Sequence, residues 1–194
     1  MSCVKFYLMS DLTNSLKNAL SGLVNGAGDV VGTTRDVAKN TVVKTVQAGG
    51  DVATTSANTA GNVVSEGVSA ASSAVVSTIQ AVTGLVTGAI EGVSKVGGNV
   101  GSAATKASQD AVKGVNSVGG DIGQAAVSAV LGAIDASRDI GANTGELAKN
   151  AVIGTLEAAD EIGSEAAGIV RKALLNAVAL PHDIIDALLK GKTE

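Results

Sequence analysis

The chain repeats itself, and the period of the repeat decides what it can fold into. Residues match one another at a spacing of 11 and better at 22. In the 22-residue frame starting at Val96 the blocks read VGGNVGSAATKASQDAVKGVNS, VGGDIGQAAVSAVLGAIDASRD, IGANTGELAKNAVIGTLEAADE and IGSEAAGIVRKALLNAVALPHD. Earlier blocks begin at Leu8, Val30, Val52 and Ala74, so eight blocks tile residues 8–183 without an insertion. Self-similarity at a fixed period means one local unit used again and again.

Eleven residues make three helical turns at about 3.67 residues per turn, so every eleventh residue stays on one side of a helix. One such column holds Val30, Val52, Val63, Leu85, Val96, Val118, Ile140 and Ile162, and all but one of its fifteen members are apolar. A second column, from Asn14 through Asp36, Gln80, Glu91, Lys113, Asp135 and Glu157 to Gly168, holds no apolar side chain. Placed at this pitch, the apolar and small columns share an arc of roughly 165°. The alternation of a strand does not fit. The reading is an all-α protein of long amphipathic helices with 11/22-residue repeats, packed as an extended bundle or assembly. Its parts are an N-terminal extension (1–9), the repeat region (10–180) and a short C-terminal helix (181–194), which Pro181 opens as a first-turn residue.

Such an arc is wider than a two-stranded seam needs and suits a flat apolar surface or several helical neighbours. It is also shallow. The chain carries 32 Ala, 27 Val and 25 Gly against one Phe, one Tyr and no Trp. Large side chains supply most of the burial energy of an ordinary core, so a conventional enzyme fold is not expected.

Glycine sharpens this reading. Gly84, Gly88 and Gly92, then Gly97 and Gly101, Gly119 and Gly123, and Gly141 and Gly145 are spaced four apart, the last three pairs recurring once per block. Small residues at this spacing let helix backbones approach closely, so these nine glycines are the candidate helix contacts. The column from Val30 to Ile162 is the candidate apolar face. A competing reading takes Gly49-Gly50-Asp51, Gly97-Gly98-Asn99 and Gly119-Gly120-Asp121 as breaks, glycine ending one helix and Asp or Asn capping the next. The unbroken phase across these sites favours continuous rods.

Chemistry finds little to work with. His182 is the sole histidine; with Asp183 and Asp186 it reads better as a helix start than as a metal site. Cys3 has no partner for a disulfide. A nucleophile, a base and an orienting group cannot be assembled, and no catalytic, cofactor-binding or metal residue is assigned. Fourteen basic against eighteen acidic residues, with no basic run, give nucleic acid nothing to hold.

The stretch from Gly67 to Ile90 is free of charge and long enough to cross a bilayer, but it includes eight polar side chains. It therefore reads as a helix lying at an interface or packed against protein rather than as a span. The first nine residues are too short for a secretory apolar region and lack a cleavage site, which points to an intracellular protein. Met9 stands where an alternative start would leave those before it peripheral.

Blocks such as VVGTTRDVAKNTVVKTVQAGG (30–50), GLVTGAIEGVSKVGGNVG (84–101) and DAVKGVNSVGGDIG (110–123) resemble the 11-residue amphipathic repeats of perilipins and synucleins. The resemblance implies long helices that adsorb reversibly to lipid droplets or membranes. It departs where synuclein repeats carry regular Lys, because residues 52–90 hold a single charge, Glu66. A neutral apolar surface or another helix of the same kind is the better partner. The expectation is a non-enzymatic structural protein, without cofactor, that self-assembles as a homo-oligomer and covers or presents an apolar surface as coat, sheath or filament subunit. The alternatives are a perilipin-like lipid adsorber, peripheral on a membrane or hydrophobic body, and a stress protectant that folds at surfaces.

Overall fold

The computed structural model describes residues 29–49, 52–73 and 77–180, with the single helical positions Asn14 and Asn18. Seven helices are described: α1 (Val30–Gly49), α2 (Val52–Ser73), α3 (Thr78–Lys95), α4 (Val100–Ser117), α5 (Ile122–Ile140), α6 (Thr144–Ile162) and α7 (Ser164–Asn176). The described residues contain no strand. The protein is all-α, as the periodicity predicts, but the rods are not continuous.

The breaks have a chemical cause. Gly97, Gly119 and Gly141 hold positive φ angles of 73°, 72° and 67°, a left-handed conformation that costs a side-chain-bearing residue about 1–2 kcal/mol. At the first turn the Gly97 amide donates to the Ser94 carbonyl at 3.1 Å and the Gly98 amide to the Val93 carbonyl at 2.9 Å. The same pair of bonds closes α4 at Gly119 and Gly120 and α5 at Gly141 and Ala142. This crossed pattern satisfies the last free carbonyls of a helix. Two residues after each left-handed glycine a side-chain oxygen caps the next helix: Asn99 accepts from the Ser102 amide at 2.8 Å, Asp121 from Gln124 at 3.0 Å and Asn143 from Glu146 at 3.0 Å. Ser77 does the same for α3. Positions 77, 99, 121 and 143 each lie one block after the last, so helix and turn together span one sequence repeat in this part of the chain.

Helices two apart in sequence lie side by side, and consecutive helices also touch. No other described pairs meet, so α1, α3, α5 and α7 form one layer and α2, α4 and α6 the other. Among the described residues each helix has only near neighbours in sequence, as in stacked-repeat proteins. Between the layers the core is small in side chain and tight. Ala38, Ala81, Ala89, Ala107, Ala111, Ala129 and Ala151 are wholly buried, and the largest fully buried residues are Leu85, Ile90 and Leu174.

The uncharged run 67–90 belongs to two helices, α2 ending at Ser73 and α3 starting at Thr78. Among the described residues no helix is long and apolar enough to cross a membrane. The terminal segments 1–9 and 181–194, with Cys3, Pro181, His182, Asp183 and Asp186, lie outside the described residues.

Candidate functional site

The seam between α1 and α3 is a close backbone contact, and glycine makes it possible. A Cβ placed on Gly84 would run into the Val31 carbonyl oxygen, and one on Gly88 into the Arg35 carbonyl oxygen. On Gly92 it would stand 2.8 Å from Val42 Cβ and 2.9 Å from the Lys39 carbonyl oxygen. Residues 31, 35 and 39 are four apart, as are the three glycines, so one parallel helix seats a backbone carbonyl over each glycine of the other.

Other layer contacts use the same device. A Cβ on Gly132 of α5 would stand 2.7 Å from the Thr83 carbonyl oxygen of α3, and one on Gly154 of α6 would meet the backbone of Thr105 in α4. Beside Gly132, the Thr87 hydroxyl lies 2.8 Å from the Thr83 carbonyl and 3.0 Å from the Gly132 carbonyl, joining α3 to α5.

The expected contact glycines divide. Gly84, Gly88 and Gly92 line the α1–α3 seam. Gly101 faces Asn150 of α6, and Gly123 faces Ile169 and Ala173 of α7. Gly145 is half-buried in the first turn of α6. Gly97, Gly119 and Gly141 are corrected: they are turn residues with nothing within 4 Å of an added Cβ, placed by their positive φ. In the apolar column Val63 and Leu85 are fully buried, whereas Val30, Val96, Val118, Ile140 and Ile162 are half-buried at helix ends and pack against the core. Val52 opens α2, and its side chain lies outside the description.

Bringing α1 so close to α3 also places charge inside. Glu91 of α3 is 3% exposed, and Arg35 of α1 donates to its Oε1 while Lys39 Nζ lies 3.0 Å from its Oε2. The same Arg35 Nη2 reaches Asp139 Oδ2 of α5 at 2.6 Å. Burial opposes the charged guanidinium, but hydrogen bonds to and the negative charges of Glu91 and Asp139 outweigh it, raising the Arg35 pKa above its already high ordinary value. The cluster borders a cleft of about 260 Å³ lined by Val31, Arg35, Thr87, Asp135, Arg138 and Asp139.

One block further on the geometry returns with different charges. Lys113 of α4 takes the place of Glu91 and Glu161 of α6 that of Asp139, and the two pair directly at 2.5 Å. Gln109 donates to the other Glu161 oxygen at 2.8 Å. The hydrogen bond from Lys113 holds the Glu161 carboxyl below its ordinary pKa; slight desolvation opposes this, and the charges of Lys113 and Lys106 add to it.

The ion cluster escaped the sequence reading because nothing local marks Glu91. It sits in the polar column like its neighbours, and only the topology shows that α1 covers it. Gly132 and Gly154 had a findable signal: with Gly88 they recur at whole multiples of the block length.

The charges of the cluster are paired with one another, and the described residues hold no group of three His, Cys, Asp or Glu that could bind a metal. Its chemistry is that of a fixed ionic joint linking three helices. Comparison with protein-family models, with characterised proteins and with solved structures gave no match to this chain.

Proposed function

We propose that this is a non-enzymatic structural protein whose amphipathic repeat helices work by packing on one another, as the subunit of a self-assembled sheath, coat or filament. The observation that carries the reading is the repeated seam: glycine or a hydroxyl against backbone, helix after helix, in layers where each member contacts only near neighbours. A packing rule that repeats with the sequence sets no limit on the length of the array, and arrays of this kind build extended surfaces. Sedimentation velocity over a range of concentrations, with electron microscopy of the same samples, tests it. Growth in mass and elongated or sheet-like particles are expected; a monomer at every concentration would refute it.

A second reading, adsorption to a neutral lipid surface, draws support from Ile169 and Val178, which are 44% and 90% exposed, and from the near absence of charge in residues 52–90. It predicts flotation with a triacylglycerol emulsion and little dependence on anionic lipid.

A further inference from the structure

The α1–α3 seam is out of step with the α2–α4, α3–α5 and α4–α6 seams. Elsewhere helices two apart bring together residues 61 and 110, 83 and 132, and 105 and 154, each 49 positions apart. Between α1 and α3 the pairs are 31 with 84, 35 with 88 and 39 with 92, which are 53 apart. The difference is four residues, one turn of α1. In the common register residue 39 would lie on Gly88, continuing the series 39, 61, 83, 105 against 88, 110, 132, 154.

Both faces of α1 repeat at that step. Its buried side consists of Thr34, Ala38, Val42 and Val46, each four after the last and none more than 2% exposed. After a one-turn slide Ala38, Val42 and Val46 fill the places of Thr34, Ala38 and Val42. The seam side behaves alike: Gly84, Gly88 and Gly92 receive residues 35, 39 and 43 in place of 31, 35 and 39. The charges are what distinguish the two positions. In the observed register Glu91 and Asp139 share two cations, Arg35 and Lys39. After the slide Lys39 stands alone where Arg35 was, and Val43 stands where Lys39 was.

We propose that α1 is a one-turn ratchet on the glycine track of α3, with the Arg35–Glu91–Asp139 cluster as the catch that selects the observed register. One-turn steps of one element past another are an established form of conformational switching. The slide carries α1 about 6 Å toward its own N-terminus, and unwinding its last turn, where Gln47 and Ala48 are exposed, supplies the length needed to stay joined to α2. The ratchet does not depend on self-assembly.

Spin labels at Lys44→Cys and Gln80→Cys, both exposed positions, in the full chain carrying Cys3→Ser, read the register as a distance by electron–electron resonance. The otherwise unchanged chain is expected to give one distance. Arg35→Gln with Val43→Lys moves the cation pair one turn along α1, and the distance should shorten by roughly 5 Å, close to the four-residue rise. Val43→Lys alone, which keeps the original catch, should show both distances. An unchanged single distance in both variants, with the original helical circular dichroism, would overturn the ratchet. If the double variant loses that helical signal, Val43→Lys alone decides, and one unchanged distance there overturns it.

Discussion

Arg35 holds Glu91 and Asp139 with a single nitrogen, Nη2, which donates to Glu91 Oε1 and lies 2.6 Å from Asp139 Oδ2. Two carboxylates from neighbouring helices of one layer would repel each other; a cation from a third helix turns the repulsion into a joint. The equivalent seam between α4 and α6 needs no third party, because Lys113 stands in the place of Glu91.

That contrast predicts unequal costs for removing the two cations. Arg35→Met leaves the buried Glu91 with Lys39 alone and should cost about 3 kcal/mol, the lower end for breaking a buried pair. Lys113→Met leaves Glu161 free to face water and should cost clearly less, as for surface pairs. Urea denaturation followed by circular dichroism compares them, and equal midpoints would contradict the bridge.

Glycine offers a second comparison in which helix propensity and packing oppose each other. Gly168 in α7 has nothing within 4 Å of an added Cβ, so Gly168→Ala should stabilise by up to about 1 kcal/mol through propensity. Gly88→Ala gains the same propensity but drives a methyl into the Arg35 backbone, and overpacking of about 1–3 kcal/mol should make it net destabilising. Thermal melts of the two variants should move in opposite directions.

Ser108 lies in α4 with no exposure, and its hydroxyl finds no hydrogen-bond partner among the described residues. Ser108→Ala removes that unmatched group and raises helix propensity, so stability should rise by about 1 kcal/mol or more. A lower denaturation midpoint would show that the hydroxyl is satisfied.

Acid should loosen the α4–α6 joint. The folded pKa of Glu161 is lowered, so its contribution is present above the ordinary carboxylate value and is lost as pH falls through the depressed one. As pH falls below the ordinary carboxylate value the chain should lose more stability than its Glu161→Gln variant, which has no carboxylate to protonate there. Parallel curves would contradict the assignment.

The helical class was legible because an 11-residue column is a statement about helix pitch. Asp36, Asn58, Gln80, Gln124 and Glu157 of the polar column are exposed, as the wheel requires, and Val63, Leu85, Ala107, Ala129 and Ala151 of the apolar column are buried. Helix breaks were harder to read, since a unit of helix plus turn that fills one block keeps the same phase as an unbroken rod. The cue lay in the motif Gly-Gly-Asn at 97–99 and Gly-Gly-Asp at 119–121, where a left-handed glycine and a cap stand two residues apart. Glu91 could not be singled out, because its burial depends on α1 lying over α3, a contact between residues far apart in the sequence.

On the proposed function, the chain acts by packing against its own kind and does not spread on lipid. Sedimentation velocity of the full protein with and without a triacylglycerol emulsion tests this most directly. Packing predicts a mass that climbs with protein concentration and is indifferent to the emulsion; a protein that stays monomeric alone and floats quantitatively with the droplets would contradict it.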